Sequence, residues 1–165
     1  MVALALLLTT IANGYQGALM APTEVLAEQH YLTIRKLLGR LSQTTQNMFR
    51  FSAQVSPHPE LINIGLVTGS TPISAKRDLY ARCEDGSIDL IIGTHTLIQE
   101  EVHLNRLALV VVDEQHRFGV RQRAALREKG TSPHLLVMSA TPIPRTLSLT
   151  LFGDLDISSI TELPS

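Results

Sequence analysis

Tryptophan is absent from the 165 residues, aromatic side chains make up 4% of them, and cysteine occurs once, as Cys83. So few rings exclude a base-stacking platform as the main grip on a nucleic acid. One cysteine excludes an internal disulfide and a cysteine-based zinc site, and it suits a reducing, cytoplasmic setting. Charge of one sign is also lacking: the formal net charge is −1, which excludes a non-specific polycation. Any contact with nucleic acid must then be local and drawn partly from backbone amides. No G-x-x-x-x-G-K-[ST] stretch occurs, so the Gly-rich cradle and lysine that hold nucleotide phosphates are not in this sequence. The apolar run from Met1 to Ala12 falls short of the ~20 residues that span a bilayer. It also lacks the basic residues that begin a signal peptide.

What the chain does have is a globular balance, 44% hydrophobic and 18% charged, at a length that suits one domain. Its organising stretch is Leu107-Ala108-Leu109-Val110-Val111-Val112-Asp113-Glu114-Gln115-His116. A continuous Val-rich run has no polar face, so it reads as a strand buried on both sides in a parallel sheet. Asp113 and Glu114 mark its exit at the carboxyl end, the edge where open α/β sheets bind ligands. A carboxylate there suits Mg²⁺, which takes oxygen ligands and bridges to substrate phosphates. A neighbouring Glu can orient or deprotonate an attacking water. The plain alternative is a strand followed by an acidic loop.

Strands and helices alternate along the rest. Met1–Ala12 reads as a helix buried against the sheet and ended by Asn13-Gly14. Gly17–Pro22 is a short strand, and Thr23 caps a helix that reaches Gly39, with Glu24 in its first turn. From Leu41 to Pro59 the pattern dissolves into an irregular surface insertion or loop, tacked down by Met48, Phe49 and Phe51 or offering them as an interaction patch. Leu61–Val67, Ile88–Ile92 and His134–Met138 are further strands. Ser74–Glu84 reads as a surface helix carrying Cys83, Val120–Lys129 as a polar helix, and Leu147–Ile160 as a short helix and a terminal strand. The fold class is α/β, a parallel sheet with helices on both faces. Pro22-Thr23-Glu24, Thr68-Gly69-Ser70, Gly93-Thr94-His95, Asp113-Glu114-Gln115-His116 and Ser139-Ala140-Thr141 each follow a strand, so all should share one edge.

APTEVLAEQH, GTHTLIQE, VVVDEQHRFGVRQR and MSATPIPRTLSLTLFGDLD together resemble the first RecA-like motor domain of second-superfamily helicases, and among these the RecG family. The resemblance covers nearly the whole chain apart from 41–59. It implies a RecA-like P-loop NTPase motor domain, truncated at its N-terminus. It implies ATP-dependent remodelling of branched DNA, such as stalled forks and recombination junctions, in repair and recombination. ATP and Mg²⁺ are the implied cofactors, and branched or forked DNA the implied partner. Asp113 would coordinate the Mg²⁺ on ATP and Glu114 would activate the hydrolytic water, while Gln115 and His116 would relay nucleotide state to a partner domain. Ser139, Ala140 and Thr141 would couple hydrolysis to movement. Pro22, Thr23, Glu24, Thr68, Gly69, Ser70, Gly93, Thr94 and His95 match loops that touch the DNA backbone. Small hydroxyls and free amides suit that task because they bind phosphate without reading sequence.

Structural alternatives stand beside these roles. Thr23 could serve only as an N-cap, Gly93 could serve only a tight turn, and His95 could be a structural histidine. His30, His58, His103 and His134 carry no catalytic expectation, and Arg117 and Arg145 could contact phosphate or merely aid solubility. Cys83, with no base near it in sequence, is not expected to act as a nucleophile.

The sequence departs from the family where the Gly-Lys-Thr loop would precede Met1, and where a second RecA-like domain and a DNA-reading wedge domain would complete the motor. The expectation is a fragment that alone neither hydrolyses ATP usefully nor unwinds DNA, with an unpaired seam or a re-paired neighbour in its sheet. Two other readings are a transcription-repair coupling translocase and a non-hydrolysing remnant that binds DNA or protein. Gln115-His116 disfavours the translocase, which usually has a second acidic residue and Gln-Arg from that point.

Overall fold

A computed structural model describes residues 2–39, 43–55, 60–98, 102–113 and 133–139, together with 156 and 158. The chain runs through α1 (Val2–Ala12), β1 (Gln16–Met20), α2 (Glu24–Leu38), β2 (Gln43–Asn47) and β3 (Arg50–Gln54). It continues through β4 (Leu61–Val67), α3 (Ile73–Glu84), β5 (Leu90–Gly93), a 3-10 turn (His95–Ile98), β6 (Leu107–Val112) and β7 (His134–Val137).

Local chemistry sets the helix ends. Gly14, at φ 82, stops α1 in the left-handed conformation that costs glycine nothing. Its N–H donates to the Ile11 carbonyl and that of Tyr15 to Thr10, which satisfies two carbonyls the helix would otherwise strand. Thr23 caps α2: its backbone is extended (φ −135, ψ 157) and its hydroxyl accepts from the Leu26 N–H at 3.3 Å. Glu24 in the first turn and Arg35 and Lys36 in the last complement the helix dipole.

Seven strands form one sheet in the order β2-β3-β4-β5-β1-β6-β7. β1, β4, β5, β6 and β7 run parallel. The sheet is nevertheless mixed, not purely parallel, because β2 and β3 pair antiparallel with each other and β3 pairs antiparallel with β4. This corrects the irregular reading of the segment after Leu41: residues 43–54 form a hairpin on the sheet edge. Phe51 and Ala53 alternate inward, where they are fully buried, so β3 belongs to the core although its neighbours are polar. Met48 at the tip is exposed, whereas Phe51 is buried in the core on one face of the sheet and Phe49 is partly buried against the core on the other, so these two rings supply the tack. Residues 56–59 lie outside the described part. β6 is flanked by β1, with a register shift between Gln16 and Gly17, and by β7, which ends the sheet among the described strands.

The two faces are covered by different helices. α1 and α2 bury Leu7, Ile11, Ala27, Tyr31, Ile34 and Leu38 on one face, against Leu19, Ile64, Leu90, Leu109 and Val111. On the other, Leu79 and Cys83 of α3 join Met20, Val67, Ile91, Val110 and Val112. Cys83 is therefore a core residue, against the surface position expected of it; Leu79 and Cys83, one turn apart, share the inward stripe of α3. Each large aliphatic chain so enclosed contributes about 1.5–3 kcal/mol. Gln16 is a buried polar tie: its Nε2 donates to the Cys83 and Ile88 carbonyls at 2.8 Å, and its Oε1 accepts from the Arg106 N–H at 3.0 Å. The expected helix over 120–129 and the elements over 147–160 fall outside the described residues, 156 and 158 excepted.

Candidate functional site

The register of the parallel strands places Val67, Gly93, Met20, Val112 and Val137 side by side at their carboxyl ends. At the usual spacing of adjacent strands this row spans about 19 Å. The backbone keeps the order one residue further: the N–H of Ala21 donates to Gly93, that of Asp113 to Met20 and that of Met138 to Val112, each at 2.9 Å. The loops that begin at Thr68, Thr94, Pro22, Asp113 and Ser139 consequently open on one edge. Of Asp113-Glu114-Gln115-His116 and Ser139-Ala140-Thr141, Asp113 and Ser139 are described; Glu114, Gln115, His116, Ala140 and Thr141 lie outside the described residues.

The loops divide into exposed and buried members. Pro22, Thr23, Gly69, Ser70 and His95 face solvent, whereas Thr68 and Thr94 are buried. The Thr68 N–H donates to the Thr71 hydroxyl at 2.9 Å, and the Thr68 hydroxyl lies 2.9 Å from that of Ser70. Thr94 sits 3.5 Å from the Thr96 hydroxyl, which donates to the Val67 carbonyl at 3.4 Å. These hydroxyls brace the loops, and the exposed neighbours are left to meet a ligand. Lys76, in the first turn of α3, reaches back to the Gly69 carbonyl at 3.0 Å and adds a cation to this loop. Glu24 lies against the bare α-carbon of Gly69, so the first two loops touch across the edge. Gly93 has no positive φ, so a tight turn is not what requires it. Its α-carbon is pressed against the Val67 carbonyl.

Asp113 leaves β6 with its carboxylate partly enclosed, and His30 Nε2 stands 2.6 Å from its Oδ2. His30 had no expected role. The signal lay in its spacing: it follows Ala27 by three residues and precedes Ile34 by four, on the inward side of α2. Thr71, Thr96 and Lys76, which brace the loops, were also not anticipated.

No group of three or more potential metal ligands occurs among the described residues. A nucleotide-borne Mg²⁺ does not need one, since it takes one or two carboxylates and fills its remaining positions with phosphate and water. Asp113, with Oδ1 free of any hydrogen bond to the described residues, fits that mode. No helix among the described residues is long and apolar enough to cross a membrane.

A family model described as "DEAD/DEAH box helicase" matches residues 1–150. The ATP-dependent DNA helicase RecG of Synechocystis is 49% identical over 158 residues, which cover 96% of this chain and 17% of the relative. RecG of Mycobacterium tuberculosis H37Rv is 47% identical over 166 residues, covering 99% of this chain and 21% of the relative. The chain thus spans about a fifth of the length of these curated relatives. A solved RecG bound to a three-way DNA junction superposes with a TM-score of 0.64 at 38% identity, over 92% of this chain and 17% of that one. The helicase Lhr of Mycobacterium smegmatis, solved with single-stranded DNA and AMP-PNP, superposes with a TM-score of 0.58 at 19% identity. It covers 86% of this chain and 19% of its own, and shares the fold.

Proposed function

From the premise that the chain belongs to the DEAD/DEAH box helicase family, we propose that it forms part of the first motor domain of a RecG-type helicase. Its work is ATP-driven remodelling of branched DNA in the cytoplasm. The observation that carries this reading is the alignment of five strand ends, with Asp113 beside loops whose exposed members are small or polar.

In this reading Pro22, Thr23, Gly69, Ser70 and His95 meet the DNA backbone. The first turns of α2 and α3 open on the same edge, and unpaired helix N–H groups there favour phosphate. Thr68, Thr94 and Gly93 hold the shape of that surface from behind, and Glu24 fixes the spacing of two loops. Asp113 would hold the Mg²⁺ that accompanies ATP with its carboxylate. The metal, when bound with ATP, neutralises phosphate charge and orients the phosphoryl group. Glu114 takes the proton of the attacking water, Gln115 and His116 sense the nucleotide, and Ser139, Ala140 and Thr141 link it to movement. Contacts of this type are blind to sequence and fall off with salt, as a motor that steps along any DNA requires.

The test uses the polypeptide that carries this chain in the cell, with a fluorescent three-way junction and an ATPase assay. Asp113→Asn is expected to bring DNA-stimulated turnover to background while junction binding persists. Ser70→Ala with His95→Ala is expected to weaken binding equally on unrelated sequences. Full turnover in the Asp113→Asn protein would sink the proposal.

A further inference from the structure

We infer that His30 is a positioning residue, which fixes the Asp113 carboxylate from helix α2 and ties its orientation to the DNA-facing loop where that helix begins. The inference rests on the reading of Asp113 as the metal-holding carboxylate. Three observations carry it.

The first is the contact itself. His30 Nε2 approaches Oδ2 of Asp113 at 2.6 Å, and no other described side chain hydrogen-bonds that carboxylate. An imidazole N–H donating there occupies one oxygen and leaves Oδ1 for a cation. The second is enclosure: the side chains retain 30% and 19% of their exposure. The pair is thus shielded from much of the solvent competition that makes exposed ion pairs weak, yet still reachable by a ligand. The third is the path through the helix. Thr23 caps α2 at the sheet edge, and His30 stands seven residues on, about 10 Å along the axis at 1.5 Å per residue. Between and beyond them Ala27, Tyr31 and Ile34 are buried against the sheet, so the segment moves as a unit. A shift of the Pro22-Thr23-Glu24 end on meeting DNA therefore reaches the Asp113 carboxylate through one rigid element and one hydrogen bond.

Hydrogen-bond partners of metal-holding groups typically govern affinity by 10–100-fold. Coupling between two sites appears as a change in one affinity on filling the other.

The experiment measures Mn²⁺ binding, as a paramagnetic stand-in for Mg²⁺, by electron paramagnetic resonance with a non-hydrolysable ATP analogue. It is run with and without a single-stranded oligonucleotide, on the polypeptide that carries this chain. His30→Asn, whose amide is too short to reach, is expected to weaken Mn²⁺ binding about tenfold or more. It is also expected to bring the DNA-dependent change in Mn²⁺ affinity close to none. His30→Gln, whose amide nitrogen extends as far as Nε2, is expected to recover most of both. A structural role alone would lower the melting temperature of both variants without separating them in Mn²⁺ affinity. Wild-type Mn²⁺ affinity and DNA response in His30→Asn would overturn the inference and leave the proposed function standing. Equal loss in both variants would overturn it too, because the donor would not be the cause. Failure of the wild-type polypeptide to bind Mn²⁺ with the nucleotide would instead sink the reading of Asp113 beneath it.

Discussion

Gly93 presses its α-carbon against the carbonyl oxygen of Val67, its register partner on β4. A Cβ there would collide with that oxygen and come within 3.0 Å of Leu97 Cγ. The obstacle is backbone, which cannot swing away as a side chain can. The same carbonyl receives the Thr96 hydroxyl, so pushing it aside also disturbs the loop after β5. Gly93→Ala is expected to cost about 1–3 kcal/mol, the range for overpacking a well-filled site. Urea unfolding checks it, and an unchanged midpoint would show that the sheet yields more easily than its register implies.

Gly69 makes the opposite case. A Cβ on it would meet the Glu24 carboxylate, the far end of a flexible side chain. Gly69→Ala is expected to change stability by no more than about 0.5 kcal/mol, as surface substitutions do. Any cost should vanish in a Glu24→Ala background. A double-mutant cycle reads this directly; additive effects would show that Glu24 is not what occupies the space.

The contrast explains what the sequence could disclose. Asn13-Gly14 and Thr23 were legible because caps work within a few residues, and the Val-rich run before Asp113 because a strand buried on both faces needs no partner to identify it. The hairpin β2–β3 was not legible. Gln43-Thr44-Thr45-Gln46-Asn47 has no apolar alternation, and its turn at Met48-Phe49 carries no glycine. What makes β3 a strand is pairing with β4, a tertiary fact. The contact of His30 with Asp113 links residues 83 apart and depends on β1 and β6 being neighbours. The row of strand ends was legible for the reverse reason: any parallel sheet puts its carboxyl ends on one edge. The roles of its individual residues were not, since Thr68 and Thr94 have the same hydroxyl as Thr23 yet are buried.

Tyr31 packs edge-on against Phe51, with ring centroids 5.2 Å apart at 69°, and its hydroxyl is buried without a hydrogen-bond partner among the described residues. Burial pushes the phenol up to about 12, with the Arg35 charge pulling the other way. An orphaned buried hydroxyl costs more than it returns. Tyr31→Phe is therefore expected to leave stability unchanged or raise it by up to about 1 kcal/mol. A loss beyond 1 kcal/mol in urea unfolding would show that the hydroxyl has a partner.

Cys83 provides the pH test. Burial, and secondarily the negative charge of Asp85, push its thiol up to about 12, against an ordinary value of about 8.5. The folded chain therefore keeps the proton where the unfolded chain releases it. The stability this contributes is complete below about pH 8.5 and is lost as pH rises towards 12. Tyr31 acts with the same sign, so the thiol is isolated by subtracting Cys83→Ala from wild type at each pH. That difference is expected to hold up to about pH 8.5 and to shrink steadily as pH rises from there towards 12, the window set by the ordinary and folded values. The same enclosure should block iodoacetamide in native buffer and admit it in urea. Rapid labelling of the native protein would mean that the α3 face of the sheet opens more readily than its buried side chains indicate.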